Sequence, residues 1–181
     1  MRLFVAIFPP MEVSEALIQA ATEALAGTSF RPTRPENVHL TLKFLGNVPG
    51  EKLDDVRAAL GSLGEKHSPF GVSPCDFGAF PSLCRAKVFW AGVGAGMGEL
   101  EALASDVDVA LDSVGFGREA RPFAPHFTLG RARRPVRLKL EDTAVPQASF
   151  VARGFDLVES VSGGSSVTYR SLAAYPLVRP G

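Results

Sequence analysis

The sequence predicts an α+β fold: a mostly antiparallel sheet system with helices on its outer faces. Strand-like and helical apolar periodicities alternate along the 181 residues, hairpin-like strands lie between them, and one strand tetrapeptide returns after nearly half the chain.

The elements follow in order. Leu3-Phe4-Val5-Ala6-Ile7-Phe8 is an apolar run closed by Pro9-Pro10, the length of a buried strand and without the small-residue cleavage site of a signal peptide. Val13, Leu17, Ala20 and Ala24 then recur at helical spacing before Gly27. From Val38 to Leu45, Val38, Leu40, Leu42 and Phe44 alternate with His39, Thr41 and Lys43, the pattern of a half-buried strand. Leu53, Val56, Leu60 and Leu63 mark a second amphipathic helix. Val72–Phe80 and Lys87–Val93 are apolar, turn-punctuated strands. Leu100, Leu103, Val107, Leu111 and Val114 make a third helix, closed by Gly115 and Gly117. Strands are expected again at Phe123–Leu129, Phe150–Val161 and Val167–Leu177. Ser162-Gly163-Gly164-Ser165-Ser166 reads as the loop joining the last two strands and not as a linker, so residues 1–181 are expected to form one domain.

Composition narrows the function classes. Hydrophobic residues make up 46% and charged residues 21%, a globular balance and not a disordered one. Nineteen basic and nineteen acidic residues cancel, which excludes coating of long nucleic acid by a global positive field. The charge is nevertheless segregated. Glu99 to Asp112 holds five acids and no base, the pattern of a solvated helix face, whereas Arg118 to Lys139 holds seven bases and one acid. Cys75 and Cys84 offer neither a disulfide framework nor metal-ligand spacing and are expected as reduced thiols. No apolar run reaches the length of a membrane span, so a soluble, cytoplasmic protein without a membrane partner is expected.

The chemistry is concentrated in a repeat. Two of the three histidines lie in His39-Leu40-Thr41-Leu42 and His126-Phe127-Thr128-Leu129, a pattern whose chance expectation at this composition is about 0.01 occurrences. Residues i and i+2 of a strand share a face, so each copy sets an imidazole beside a hydroxyl. If the two strands meet, one cleft holds two groups with ordinary pKa values near 6.5 and two hydroxyl donors. That set suits phosphodiester hydrolysis: a base for water, an acid for the leaving oxygen, and donors for the non-bridging oxygens. Neither strand supplies a third ligand, so no metal site is expected. His67 has no comparable neighbourhood and is expected to be exposed.

His39-Leu40-Thr41-Leu42-Lys43-Phe44-Leu45-Gly46 and Pro125-His126-Phe127-Thr128-Leu129-Gly130-Arg131 resemble the paired H-x-T signatures of the 2H phosphoesterases, in particular the bacterial and archaeal RNA 2′,3′-cyclic phosphodiesterases, also called 2′-5′ RNA ligases. Arg2–Ile7, Lys87–Trp90 and Tyr169–Leu177 stand in the expected order around them. The resemblance implies a bilobal fold with pseudo-two-fold symmetry and a central cleft carrying one motif from each lobe. It implies cofactor-free hydrolysis of an RNA 2′,3′-cyclic phosphate end, or of a cyclic nucleotide, to a 2′-phosphate, with 2′-5′ ligation as a side activity. Catalysis would fall to His39, as acid, and His126, as base; phosphate binding would fall to Thr41, Thr128 and Arg131, in a protein expected to be monomeric. Strict alternation sets Arg131 on the opposite face from His126 and Thr128, unless a bulge or the strand end at Gly130 re-aims it. A nucleotide- or RNA-binding module of the same fold with little turnover is the alternative from another class.

Overall fold

Leu3, Phe4, Val5, Ala6 and Ile7 are each at most 2% exposed, although side chains along a strand point alternately to opposite faces. Both faces of this strand are therefore covered, which is why it reads as an unbroken apolar run. The computed structural model describes residues 1–140, 143–163 and 166–178. It places this strand, β1 (Arg2–Ile7), inside a sheet whose other members are β2 (Arg31–Pro32), β3 (Leu40–Asn47), β5 (Pro74–Phe80), β6 (Ala86–Val93), β7 (His126–Val136), β9 (Gly154–Gly163) and β10 (Ser166–Pro176). The spatial order is β10-β9-β1-β3-β7-β6-β5, with β2 added on β7, and every pairing is antiparallel. A small separate ladder joins β4 (Phe70–Val72) to β8 (Phe150–Ala152).

One face of the sheet carries the helices. Leu3, Val5 and Ile7 join the main core with Val13, Leu17 and Ala21 of α1 (Met11–Ala24), Val56 and Leu60 of α2 (Leu53–Leu60), and Leu100, Leu103, Val107 and Leu111 of α3 (Met97–Asp112). On the other face Phe4 and Ala6 form a second apolar cluster with Val158, against which Phe8 and Tyr169 pack. The fold is thus the α+β arrangement expected. Its two halves repeat a unit: β1, α1 and β3 in one, β6, α3 and β7 in the other, with the outer strands of each unit paired antiparallel.

Several boundaries differ from the sequence reading for local reasons. The strand expected from Val38 begins at Leu40, because Pro35–Asn37 form a short 3-10 turn whose Pro35 oxygen receives the Val38 N–H. The strand expected from Phe123 begins at His126, since Pro122 and Pro125 have no N–H to give a ladder. The second helix stops at Leu60, and Leu63 lies in a separate 3-10 turn. Gly164 and Ser165 of the expected loop lie outside the described residues; β9 ends just before them and β10 starts just after. Among the described residues no helix is long and apolar enough to cross a membrane.

Candidate active site

The two tetrapeptides come together where the two halves join. β3 and β7 pair directly through Leu40 opposite Phe127, the residues between histidine and threonine in the two motifs. Both are fully buried, so their neighbours His39, Thr41, His126 and Thr128 turn to the opposite face, where each is half-buried.

The imidazoles are held in matching ways. Nδ1 of His39 stands 2.8 Å from the Asn37 carbonyl oxygen, and Nδ1 of His126 stands 2.8 Å from the Ala124 carbonyl oxygen. A carbonyl only accepts, so Nδ1–H donates in both and the neutral rings keep an unprotonated Nε2. Aromatic walls fix the ring planes. His39 lies 5.0 Å from Phe4 and 5.1 Å, edge-on, from Tyr169; His126 lies 5.0 Å, edge-on, from Phe80 and 6.2 Å from Trp90.

Burial lowers the His39 pKa to about 4; the Asn37 hydrogen bond opposes this, and the positive charges of Arg131 and His126 reinforce it. The His126 pKa also falls below its ordinary value through burial and Arg131, against the Ala124 hydrogen bond. Arg131 therefore acts electrostatically on both rings.

Its position follows from a bulge. Along β6 and β7 the pairs run Gly92–His126, Ala91–Phe127 and Trp90–Thr128, then jump to Phe89–Gly130 and Val88–Arg131, leaving Leu129 as the extra residue. Leu129 and Gly130 are both buried, and Arg131 returns to the face of His126 and Thr128. Strict alternation fails here, and the re-aiming bulge holds.

The first motif has the same irregularity. Ile7–Leu40 and Ala6–Thr41 are followed by Val5–Lys43 and Phe4–Phe44, which leaves Leu42 as the extra residue. Phe44 is thereby the counterpart of Arg131 and stands 62% exposed beside Phe4, with ring centroids 5.8 Å apart. A cavity of about 600 Å³ next to it is lined by Thr41, Phe44, Phe80, Arg121, Phe123 and His126, among others. Local periodicity assigns neither Phe44 nor Lys43 to the site; the one signal for them is a lysine and a phenylalanine placed just after a motif.

Two expectations need correction. His67 is not simply exposed: its side chain is 13% accessible and Nε2 lies 2.9 Å from Asp106 Oδ2. The acidic face of the third helix is not simply solvated either, because Asp106 holds His67, and Asp108 pairs with Lys43 and Arg118. Both errors arise because partners distant in sequence leave no local periodic trace. The basic run divides in the same way. Arg118 is engaged by Asp108, whereas Arg131, Arg133 and Arg134 lie exposed along β7.

Comparison with known proteins gives a consistent picture. Residues 7–90 match the model of the LigT like Phosphoesterase family. The RNA 2′,3′-cyclic phosphodiesterase of Thermus thermophilus is 34% identical over 98% of this chain and 90% of its own length. That of Geobacillus stearothermophilus is 31% identical over 97% of this chain, but the chain spans only 57% of its length. Among solved structures, TT0787 of Thermus thermophilus superposes with a TM-score of 0.85 at 30% identity, and E. coli LigT complexed with 3′-AMP with 0.84 at 26% identity, each over 98% of both chains.

Proposed function

Since the chain belongs to the LigT-like phosphoesterases, we propose that it hydrolyses RNA 2′,3′-cyclic phosphate ends to 2′-phosphates, without metal, by acid–base catalysis between His39 and His126. The observation that carries this reading is the matched pair of Nδ1–H bonds to Asn37 and Ala124. They leave two Nε2 atoms, one from each half, as the free acid–base nitrogens. Residues 1–181 then act as one catalytic unit, and a monomer holds both motifs.

In the reaction, Nε2 of His126 takes a proton from water as the water oxygen bonds to phosphorus. The bond from phosphorus to O3′ breaks, and protonated His39 gives its Nε2 proton to O3′. The product carries a 2′-phosphate and a 3′-hydroxyl. The Thr41 and Thr128 hydroxyls donate to the non-bridging oxygens, whose charge grows in the transition state, and the Arg131 guanidinium adds a fixed positive charge on the same side. With its pKa lowered to about 4, His39 is neutral at pH 7, so its part as acid requires the substrate's phosphate anion to draw a proton onto it. An RNA 5′-hydroxyl entering in place of water would give a 2′-5′ linkage by the same proton transfers, the side activity expected of this site.

The name of the Thermus relative and the 3′-AMP held by E. coli LigT support an RNA end or a nucleotide as substrate. The test is incubation with a nucleoside 2′,3′-cyclic phosphate in EDTA, followed by phosphorus NMR. A 2′-phosphate product formed at an undiminished rate is expected. Loss of activity on chelation points to a metal-dependent hydrolase, and binding without turnover to a nucleotide-binding module.

A further inference from the structure

β3 and β7, the strands that hold the two motif threonines, meet narrowly, at Leu40 and Phe127 alone. Two further ties flank this contact, and they use equivalent positions. Past each threonine, the bulge sets Lys43 opposite Val5 in one half and Gly130 opposite Phe89 in the other.

At Gly130 the tie is backbone. The segment leading to His39 passes over it, with Pro32 paired to Gly130 and the Thr33 N–H donating to the Leu129 carbonyl at 2.9 Å. A Cβ at Gly130 would stand 3.3 Å from the Arg31 carbonyl oxygen and 3.1 Å from Leu25 Cδ1, a tight fit that glycine relieves. At Lys43 the tie is a side chain. Its ammonium, on a residue 8% exposed, pairs with Asp108 of α3 and donates to the Gly117 carbonyl at 2.7 Å, on the segment leading to His126. Asp108 also accepts the Glu119 N–H at 3.1 Å and pairs with Arg118 Nε at 2.7 Å. Burial alone would raise the Asp108 pKa; Lys43, the Glu119 N–H and Arg118 together bring it below the ordinary value.

A buried ion pair is a costly way to close a gap that the other half closes with glycine. Phe123 of the segment it holds packs against the core and Pro125 is buried, but backbone pairing does not hold the segment. Between α3 and β7, among the described residues, no backbone–backbone hydrogen bond anchors 117–125, yet this segment ends in the Ala124 carbonyl that holds His126. We propose that Lys43 and Asp108 are positioning residues for His126: their ion pair latches the 117–124 segment, so that the Ala124 carbonyl keeps Nδ1 protonated and Nε2 free. The catalytic consequence rests on the function proposed above; the hold on the imidazole does not.

The test compares Lys43→Met and Asp108→Asn with Asp106→Asn, a neighbouring charge change on the same helix that breaks only the His67 pair. Two quantities are read: histidine tautomers by long-range proton–nitrogen NMR, and kcat and KM on a nucleoside 2′,3′-cyclic phosphate across pH. Both latch variants should give His126 a mixture of tautomers while His39 keeps Nδ1–H, and should lower kcat about 10- to 100-fold with little change in KM. The pH profile should shift in the limb that His126 governs. Asp106→Asn should match wild type in both readouts. The proposal is overturned if His126 keeps its tautomer in the latch variants, or if both histidines are disturbed alike, which would mean general loosening. Should Lys43→Met fail to fold, the near-isosteric Asp108→Asn carries the comparison. If the tautomer changes but wild type turns over no cyclic phosphate, the latch stands and the proposed function falls.

Discussion

Phe44 and Arg131 occupy the same place in the two halves: each lies three residues beyond its motif threonine, and each is turned by a one-residue bulge onto the strand position beside it. The halves thus share one backbone device but present an aromatic ring on one side of the cleft and a guanidinium on the other. This difference breaks the symmetry of the site and yields the first expectation.

Arg131 lowers the pKa of both histidines, so Arg131→Ala should raise both toward 6.5, and an NMR titration of the two rings reads this directly. The same change should weaken mononucleotide binding and turnover. Unmoved titration curves together with unchanged mononucleotide affinity would show that the side chain faces away from the cleft.

His39→Ala and His126→Ala should each lower turnover by about 10²- to 10⁴-fold without loss of fold. Thr41→Val and Thr128→Val should cost less, about 10- to 150-fold, the worth of one hydrogen bond to a charged group. A nucleoside phosphodiester with a nitrophenol leaving group separates the two histidines, because a good leaving group needs no acid. Activity on it should recover in His39→Ala and not in His126→Ala; the opposite pattern exchanges their roles.

The depressed histidines also set the response to pH. Below about pH 6.5 an unfolded chain protonates His39, whereas the folded chain resists down to about pH 4. The unfolded state then binds more protons, so stability falls as pH drops through this window, by on the order of 1–3 kcal/mol from this residue. Urea unfolding at pH 7 and at pH 5 measures it, and His39→Gln should flatten the dependence. In activity, kcat/KM should be bell-shaped with a maximum below pH 6.5, and kcat should peak at higher pH, because bound phosphate raises both pKa values. Coincident kcat and kcat/KM profiles would contradict this.

The exposed Arg133 and Arg134 lie along β7 beyond Arg131. With no net charge on the chain, few phosphates should be engaged, and oligonucleotide affinity should fall with salt at a logarithmic slope of about −1 to −3. Replacing Arg133 and Arg134 should flatten the slope for oligonucleotides only. A change of equal size for a mononucleotide would place these side chains at the cleavage site instead.

Gly78 lies under the indole of Trp90, and a Cβ there would overlap the six-membered ring. Trp90 in turn forms part of the wall around His126, with ring centroids 6.2 Å apart. Gly78→Ala should therefore move the indole and reduce kcat by roughly 10-fold, with a stability cost of about 1–3 kcal/mol from overpacking. Trp90 is the only tryptophan, so its emission reports the displacement without interference. Wild-type emission and turnover would mean that the wall yields without consequence.

Local pattern was enough to read most strands and helices, the α+β class and the two histidine motifs, because burial imposes a period of two or 3.6 on neighbouring residues. The repeat also pointed to a shared cleft, since a strand obliges His39 and Thr41, or His126 and Thr128, to share a face. The direction of Arg131 was decided by the pairing of β7 with β6: a bulge is a mismatch between two strands, and one strand's sequence does not contain it. The partners of Asp106 and Asp108 were decided the same way, because Lys43 and His67 reach them from 65 and 39 residues away. The lowered pKa of His39 also belongs to the assembled protein. It comes from burial among Phe4, Phe8 and Tyr169 and from charges on the other half, which are brought together only by the folded sheet.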